Sequence, residues 1–177
     1  NGNTAAATGG GIHVAHESMS GGAAKLEFRA DVTENTAGTD GGGVYVLATK
    51  TTFEAALGGN VSGNKAGRNG GGLYVQSRTI GFDDITVTGN AAGQNGEIGF
   101  GGGLYLATQG TTAGIYTFSA DTVVYNNQAP TDSKKVTTDD GKSIGASSEI
   151  FIRNTKTASG GGMYVANIVA DPALEGR

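Results

Sequence analysis

The sequence predicts an all-β fold: a parallel β-helix (β-solenoid) of about six coils of 27–32 residues, forming a single domain over residues 1–177. Three observations predict it. A Gly triplet followed by apolar, aromatic, apolar recurs roughly every thirty residues. An apolar residue three places before an Asn precedes the triplet at a fixed offset. No stretch sustains a helical apolar period, whereas short β-rich runs alternate with Gly, Asn, Asp and Thr turns.

The triplet element reads G-G-G-I-H-V from Gly9, G-G-G-V-Y-V from Gly41 and G-G-G-L-Y-V from Gly70. It returns as G-G-G-L-Y-L from Gly101 and G-G-G-M-Y-V from Gly160. The apolar-x-x-Asn element appears as Val32/Asn35, Val61/Asn64, Val87/Asn90, Val124/Asn127 and Phe151/Asn154, and Asn3 is a sixth Asn. One offset separates Asn3 from Gly9, Asn35 from Gly41, Asn64 from Gly70 and Asn154 from Gly160. Between Asn90 and Gly101 the spacing is longer, which marks an insertion within Gln94 to Phe100. After Asn127 the triplet is missing. Residues 129–149 read as a degenerate coil with a charged loop, Val136 in the apolar slot and Thr137 in the aromatic slot. A polar tail covers 168–177. Between the elements, Phe28, Phe53, Phe82 and Phe118 each sit in a second strand-like run and are expected to stack inside.

A single unit of this length cannot bury its own apolar face, but stacked units can, each strand pairing with its copy one unit along. Alternation then assigns faces. Ile12, Val44, Leu73, Leu104 and Met163 should point inward with Val14, Val46, Val75, Leu106 and Val165. His13, Tyr45, Tyr74, Tyr105, Thr137 and Tyr164 should form an outward column, a possible stacking or binding surface. Cross-coil stacking that holds register is the reading preferred for that column. Asn3, Asn35, Asn64, Asn90, Asn127 and Asn154 should form an inner structural column, because corner amides bond both the local backbone and one another.

Composition excludes several classes. Gly accounts for 33 of 177 residues, yet it is not at every third position and there are only two Pro, so the chain is not collagen. The net charge of −4 is too small for the disorder expected of weakly apolar chains, and Lys and Arg are not clustered as nucleic-acid binding requires. There is no Cys, hence no disulfide, thiolate or Cys-based zinc site. No apolar run approaches the roughly 20 residues of a membrane span, so this segment is not expected to insert in a membrane.

The paired motifs resemble the repeats of polymorphic membrane proteins, the autotransporter-type surface adhesins with F-x-x-N and G-G-A-I motifs. Phe151-Ile152-Arg153-Asn154 matches the first motif literally, other copies carry Val for Phe, and a third Gly replaces the Ala. The resemblance implies a right-handed parallel β-helix, extracellular at a bacterial cell surface, used for adhesion or as structural material. Self-association or flanking coils of the same protein are the expected partners, with a host surface or a polysaccharide as further ones.

Candidate chemistry is weak beside this pattern. His13 and His16 with Glu17 match no strong zinc spacing, and His13 already fills the aromatic slot. Asp31, Asp83, Asp84, Asp121, Asp139 and Asp140 fall at different unit positions and lack the calcium-solenoid nonapeptide, so they read as turn residues. Polysaccharide-cleaving β-helices need carboxylates and a basic side chain converging from neighbouring coils. Arg29, Arg68, Arg78 and Arg153 occupy unrelated positions, and only the loop with Lys134, Lys135, Asp139, Asp140 and Lys142 breaks the repeat. The Gly triplets precede strands and lack the elements of a phosphate loop. Thr86/Thr88 and Thr155/Thr157 do not recur at one position as an ice-binding ladder would. The expectation is therefore a non-enzymatic chain with no catalytic residue, metal or cofactor; the alternative is a carbohydrate-binding or polysaccharide-cleaving β-helix. A terminal coil with no amphipathic cap is expected to continue into a longer solenoid or to stack on other copies as a fibre.

Overall fold

The computed structural model describes residues 1–16, 24–48, 53–77, 79–96, 99–107, 115–119, 121–129, 136–137, 143–144, 150–153 and 164–166. Among these, every regular element is a strand and none is a helix. The chain is all-β, and among the described residues every strand pair but that of Val136–Thr137 with Ser143–Ile144 is parallel.

A five-stranded sheet runs Ile12–His16, Val44–Ala48, Leu73–Gln76, Leu104–Ala107, Ile150–Arg153, every pair parallel. The first four are the strands that follow the Gly triplets. Their β-branched and aromatic residues favour strands, and alternation sends Val44, Val46, Leu73, Val75, Leu104 and Leu106 to the core face while the intervening Tyr residues take the other face. Val44–Ala48 and Leu73–Gln76 alternate buried with partly exposed positions accordingly.

A seven-stranded sheet is built from Ala24–Arg29, Phe53–Ser62, Thr79–Thr88, Ile115–Phe118 and Tyr164–Ala166. Val32–Thr33 pairs with Phe53–Ser62, and Val123–Tyr125 pairs with Thr79–Thr88. The apolar residues of the Asn element align across it, Val32 with Val61, Val61 with Val87 and Val87 with Val124. Thr4–Ala5, Thr36–Ala37 and Lys65–Ala66 make a short parallel sheet, which bridges through Ala91 to Gln128 extend.

The apolar faces of the two large sheets share one core. Val44, Val46, Leu73, Val75, Leu104 and Leu106 contribute from one, and Leu57, Val61, Ile80, Phe82, Ile85, Val87 and Phe118 from the other. Burying each such side chain contributes about 1.5–3 kcal/mol. Ile12 and Val14, on the outermost described strand of their sheet, are partly buried against this core.

Three expectations are corrected. Phe53 does not join the Phe column. Its backbone pairs with Ala24, while Phe28 aligns with Leu57, Leu57 with Phe82, and Phe82 with Phe118. Leu57 precedes Val61 by the interval that separates Phe28 from Val32, so Leu57 and not Phe53 comes to lie beside Phe28, and a shift of register between Phe82 and Ile85 accommodates the longer interval from Phe82 to Val87.

The last triplet strand also sits elsewhere. Tyr164 and Val165 pair with Ile115 and Tyr116 in the seven-stranded sheet, and Ile150–Arg153 takes the place beside Leu104–Ala107. Phe151 is thus in register with Tyr105, although the sequence placed it in the apolar-x-x-Asn element. Alternation specifies a face but not a sheet, and both segments alternate. Met163 and Asn154 lie outside the described residues.

Finally, Val136 and Thr137 pair antiparallel with Ile144 and Ser143, so Thr137 is not part of the outward column.

Candidate functional site

Two columns of like residues cross the repeats, one polar and buried, one aromatic and facing outward. The buried column starts at corners where each Asn follows its apolar strand. Asn35, Asn64, Asn90 and Asn127 are all buried. Asn3 donates its Nδ2 to Oδ1 of Asn35 at 3.0 Å, across 32 residues of sequence. Asn35 donates to Asn64 at 3.0 Å, Asn64 to Asn90 at 2.9 Å and Asn90 to Asn127 at 2.9 Å, spanning 29, 26 and 37 residues.

Each acceptor oxygen takes a second bond from the backbone N–H of the preceding Asn, at 2.9 Å from Asn35 to Asn64 and from Asn64 to Asn90. In Asn64, Asn90 and Asn127, Nδ2 also donates to a main-chain carbonyl one repeat back: Asn64 to Val32 at 2.8 Å, Asn90 to Val61 at 2.9 Å, Asn127 to Val87 at 3.0 Å. Asn64 and Asn90 therefore use both amide protons and both lone pairs of the oxygen. A buried amide is stable only when satisfied in this way. Asn154 lies outside the described residues.

The column passes the varying repeat lengths without interruption. The longer interval after Asn90 is taken up by the insertion, which lies back on earlier repeats: Gln94 N–H donates to Ala66 O at 3.1 Å and Asn95 Nδ2 to Gly38 O at 2.8 Å.

The Gly triplets bring the repeats into contact beside this column. Gly41 N–H donates to Asn69 O at 2.9 Å, Gly42 N–H to Gly70 O at 3.0 Å and Gly71 N–H to Gly101 O at 3.1 Å. The first Gly is required by dihedral, with φ of 68° at Gly41 and 62° at Gly70. The second is required by space, since a Cβ on Gly42 would lie 2.2 Å from Gly71 O and 2.5 Å from the Lys65 backbone.

A second polar cluster was not singled out from the sequence. Asp40, whose side chain is 7% exposed, accepts from Arg68 Nε at 3.1 Å, Asn69 N–H at 3.1 Å and Asn69 Nδ2 at 2.9 Å. Asn69 Oδ1 in turn accepts from Phe100 N–H at 3.2 Å. The available signal was positional: Thr8, Asp40 and Asn69 each stand just before a triplet.

The outward column contains His13, Tyr45, Tyr74 and Tyr105, in register across four strands. Ring centroids are 5.0 Å apart for His13/Tyr45 and for Tyr45/Tyr74, and 4.7 Å apart for Tyr74/Tyr105. The tyrosine planes lie within 13° and 7° of parallel. Each inner ring face is covered by the next ring, so a sugar ring cannot stack between them. Burial pushes the Tyr74 phenol well above its usual range, with Tyr105, Asp40 and Tyr45 adding to the effect. His13 Nδ1 lies 2.9 Å from Thr8 Oγ1. Tyr164 is not in the column, because its strand pairs with Ile115–Phe118.

Among the described residues no three His, Cys, Asp or Glu side chains converge as metal ligands. Asp83 pairs with Arg29 on the exposed surface. Glu17, Arg78, Lys134, Lys135, Asp139, Asp140 and Lys142 lie outside the described residues, and with them the proposed break in the repeat. Compared with protein-family models, curated proteins and solved structures, the chain matches none.

Proposed function

We propose that the chain is a right-handed parallel β-helix and acts as a non-enzymatic structural or adhesive module at a bacterial cell surface. The buried Asn ladder carries this reading. It makes each repeat complete the hydrogen bonding of the one before, which suits a rigid rod. Right-handed crossovers are the rule where parallel strands of one sheet are joined. The stacked Tyr column supports a scaffolding role over sugar binding, because its inner faces are already occupied. Self-association, or pairing with further repeats of the same kind, draws support from Ile12, Val14, Leu26 and Phe28, which are only partly buried at one end of the stack.

Spin labels at Tyr45 and Tyr105 test the architecture. Two strand spacings, about 9.6 Å between backbones, are expected, and a much longer distance overturns it. For function, the immobilised chain is offered host-cell surface proteins and a panel of polysaccharides. Retention of a surface ligand with no shortening of any polymer is expected. Release of shorter oligosaccharides overturns the non-enzymatic reading, and failure to retain any surface ligand overturns the adhesive one.

A further inference from the structure

The chain has no Cys, so its repeats cannot be braced by disulfides. The tyrosine column brings a different pair of coupling partners together. We propose that Tyr45 and Tyr74 form an oxidative cross-linking site, joined by a carbon–carbon bond when a haem peroxidase with hydrogen peroxide acts on the chain.

The geometry suits the reaction. Each phenol gives up one electron and its hydroxyl proton, leaving two phenoxyl radicals whose unpaired density lies partly on the ring carbons ortho to oxygen. Radical carbons couple along the ring normal, and the two rings face each other at 5.0 Å and 13°. After the bond forms, each joined carbon loses its hydrogen as a proton and the ring oxygen regains one, restoring both phenols. The rings then splay outward as the biaryl forms, which their position on the outer face of the sheet permits. One hydrogen peroxide is reduced to two waters for each link, and the protein loses two hydrogen atoms.

Tyr45 is the partner because both it and Tyr74 are partly exposed to the oxidant. Tyr105 stacks on Tyr74 at 4.7 Å but is only 5% exposed and packs with Phe100. Tyr74 carries its hydroxyl proton at neutral pH, as any tyrosine does, and burial disfavours the phenolate further, so oxidation removes electron and proton together. Holding the two rings in contact replaces a bimolecular encounter by a unimolecular one, which favours this pair over coupling between separate chains. The inference rests on the column alone and does not depend on where the protein acts.

The test uses the purified full chain, dilute enough to suppress coupling between molecules, with a haem peroxidase and hydrogen peroxide. Dityrosine fluorescence is expected, with a single chain lighter by two hydrogens and a digest joining the Tyr45 and Tyr74 peptides. The folded chain should form this link on the order of tenfold faster or more than the urea-unfolded chain. Tyr74→Phe keeps the ring, loses the hydroxyl and should lose the link, its fold checked by circular dichroism. Equal yield from folded and unfolded chain, a product joining any other pair, or no intrachain product overturns the proposal.

Discussion

Replacing Asn64 tests the buried ladder most directly. In Asn64→Ala, the backbone N–H and one Nδ2 proton of Asn35 lose their acceptor, at 2.9 and 3.0 Å in the parent. Val32 O and Asn90 Oδ1 each lose a donor, at 2.8 and 2.9 Å. Each unsatisfied buried donor costs about 1–3 kcal/mol, so the two donors alone predict a loss of roughly 2–6 kcal/mol. Asn64→Asp keeps the acceptor but turns the donor into an oxygen facing two oxygens, in a site that is fully buried. Its carboxyl should titrate well above the usual range, because burial and the neighbouring carbonyl oxygens disfavour the charge. A raised folded value places its stabilising contribution below the unfolded carboxyl value of about 3.9, and this is lost as pH rises through the folded one. The aspartate variant should therefore be most stable in acid and weakest at neutral pH. Asn3→Ala, at the exposed end, is the reference and should cost under about 1 kcal/mol. Urea unfolding followed by circular dichroism, at acid and neutral pH, gives all three values. An Asn64→Ala loss no larger than that of Asn3→Ala would refute the reasoning, as would an aspartate variant indifferent to pH.

Gly42→Ala should cost at least about 3 kcal/mol, within the range of severe backbone and overpacking changes, because its Cβ meets backbone at 2.2 Å. Gly2→Ala, with nothing within 4 Å and only a positive φ to violate, should cost about 1 kcal/mol; equal losses in thermal melts would contradict the close-approach account. Leu57→Ala should lose about 2–5 kcal/mol as a core truncation, read by denaturant midpoint, and a loss under about 1 kcal/mol would remove Leu57 from the Phe column. The raised Tyr74 phenol contributes stability that is complete below the unfolded value of about 10 and is lost as pH rises from there through the folded value. Alkaline unfolding should accordingly shift upward in Tyr74→Phe, and an unchanged profile would refute the assignment. Asp83→Ala should change stability by no more than about 0.5 kcal/mol, since its pair with Arg29 is exposed; a larger loss by urea titration would show a role beyond the ion pair.

The repeat alone carried the assignment of class, the inward set of the first four triplet strands, and the identity of both columns as far as Asn127 and Tyr105. Those properties depend on local alternation and on the interval between an Asn and the next Gly triplet, and both can be counted along the chain. Three placements waited for the fold. Leu57 stands in line with Phe28 because a strand pairs by register, and a Phe four residues earlier cannot hold the place. Tyr164 and Ile150 belong to sheets that alternation does not distinguish, since the same apolar spacing presents one face to either. Asp40 becomes a buried acceptor only when stacking brings Arg68 and Asn69 beside it from the next repeat. Contacts between repeats depend on which residue lies over which, and that is set by hydrogen bonds between segments roughly thirty residues apart.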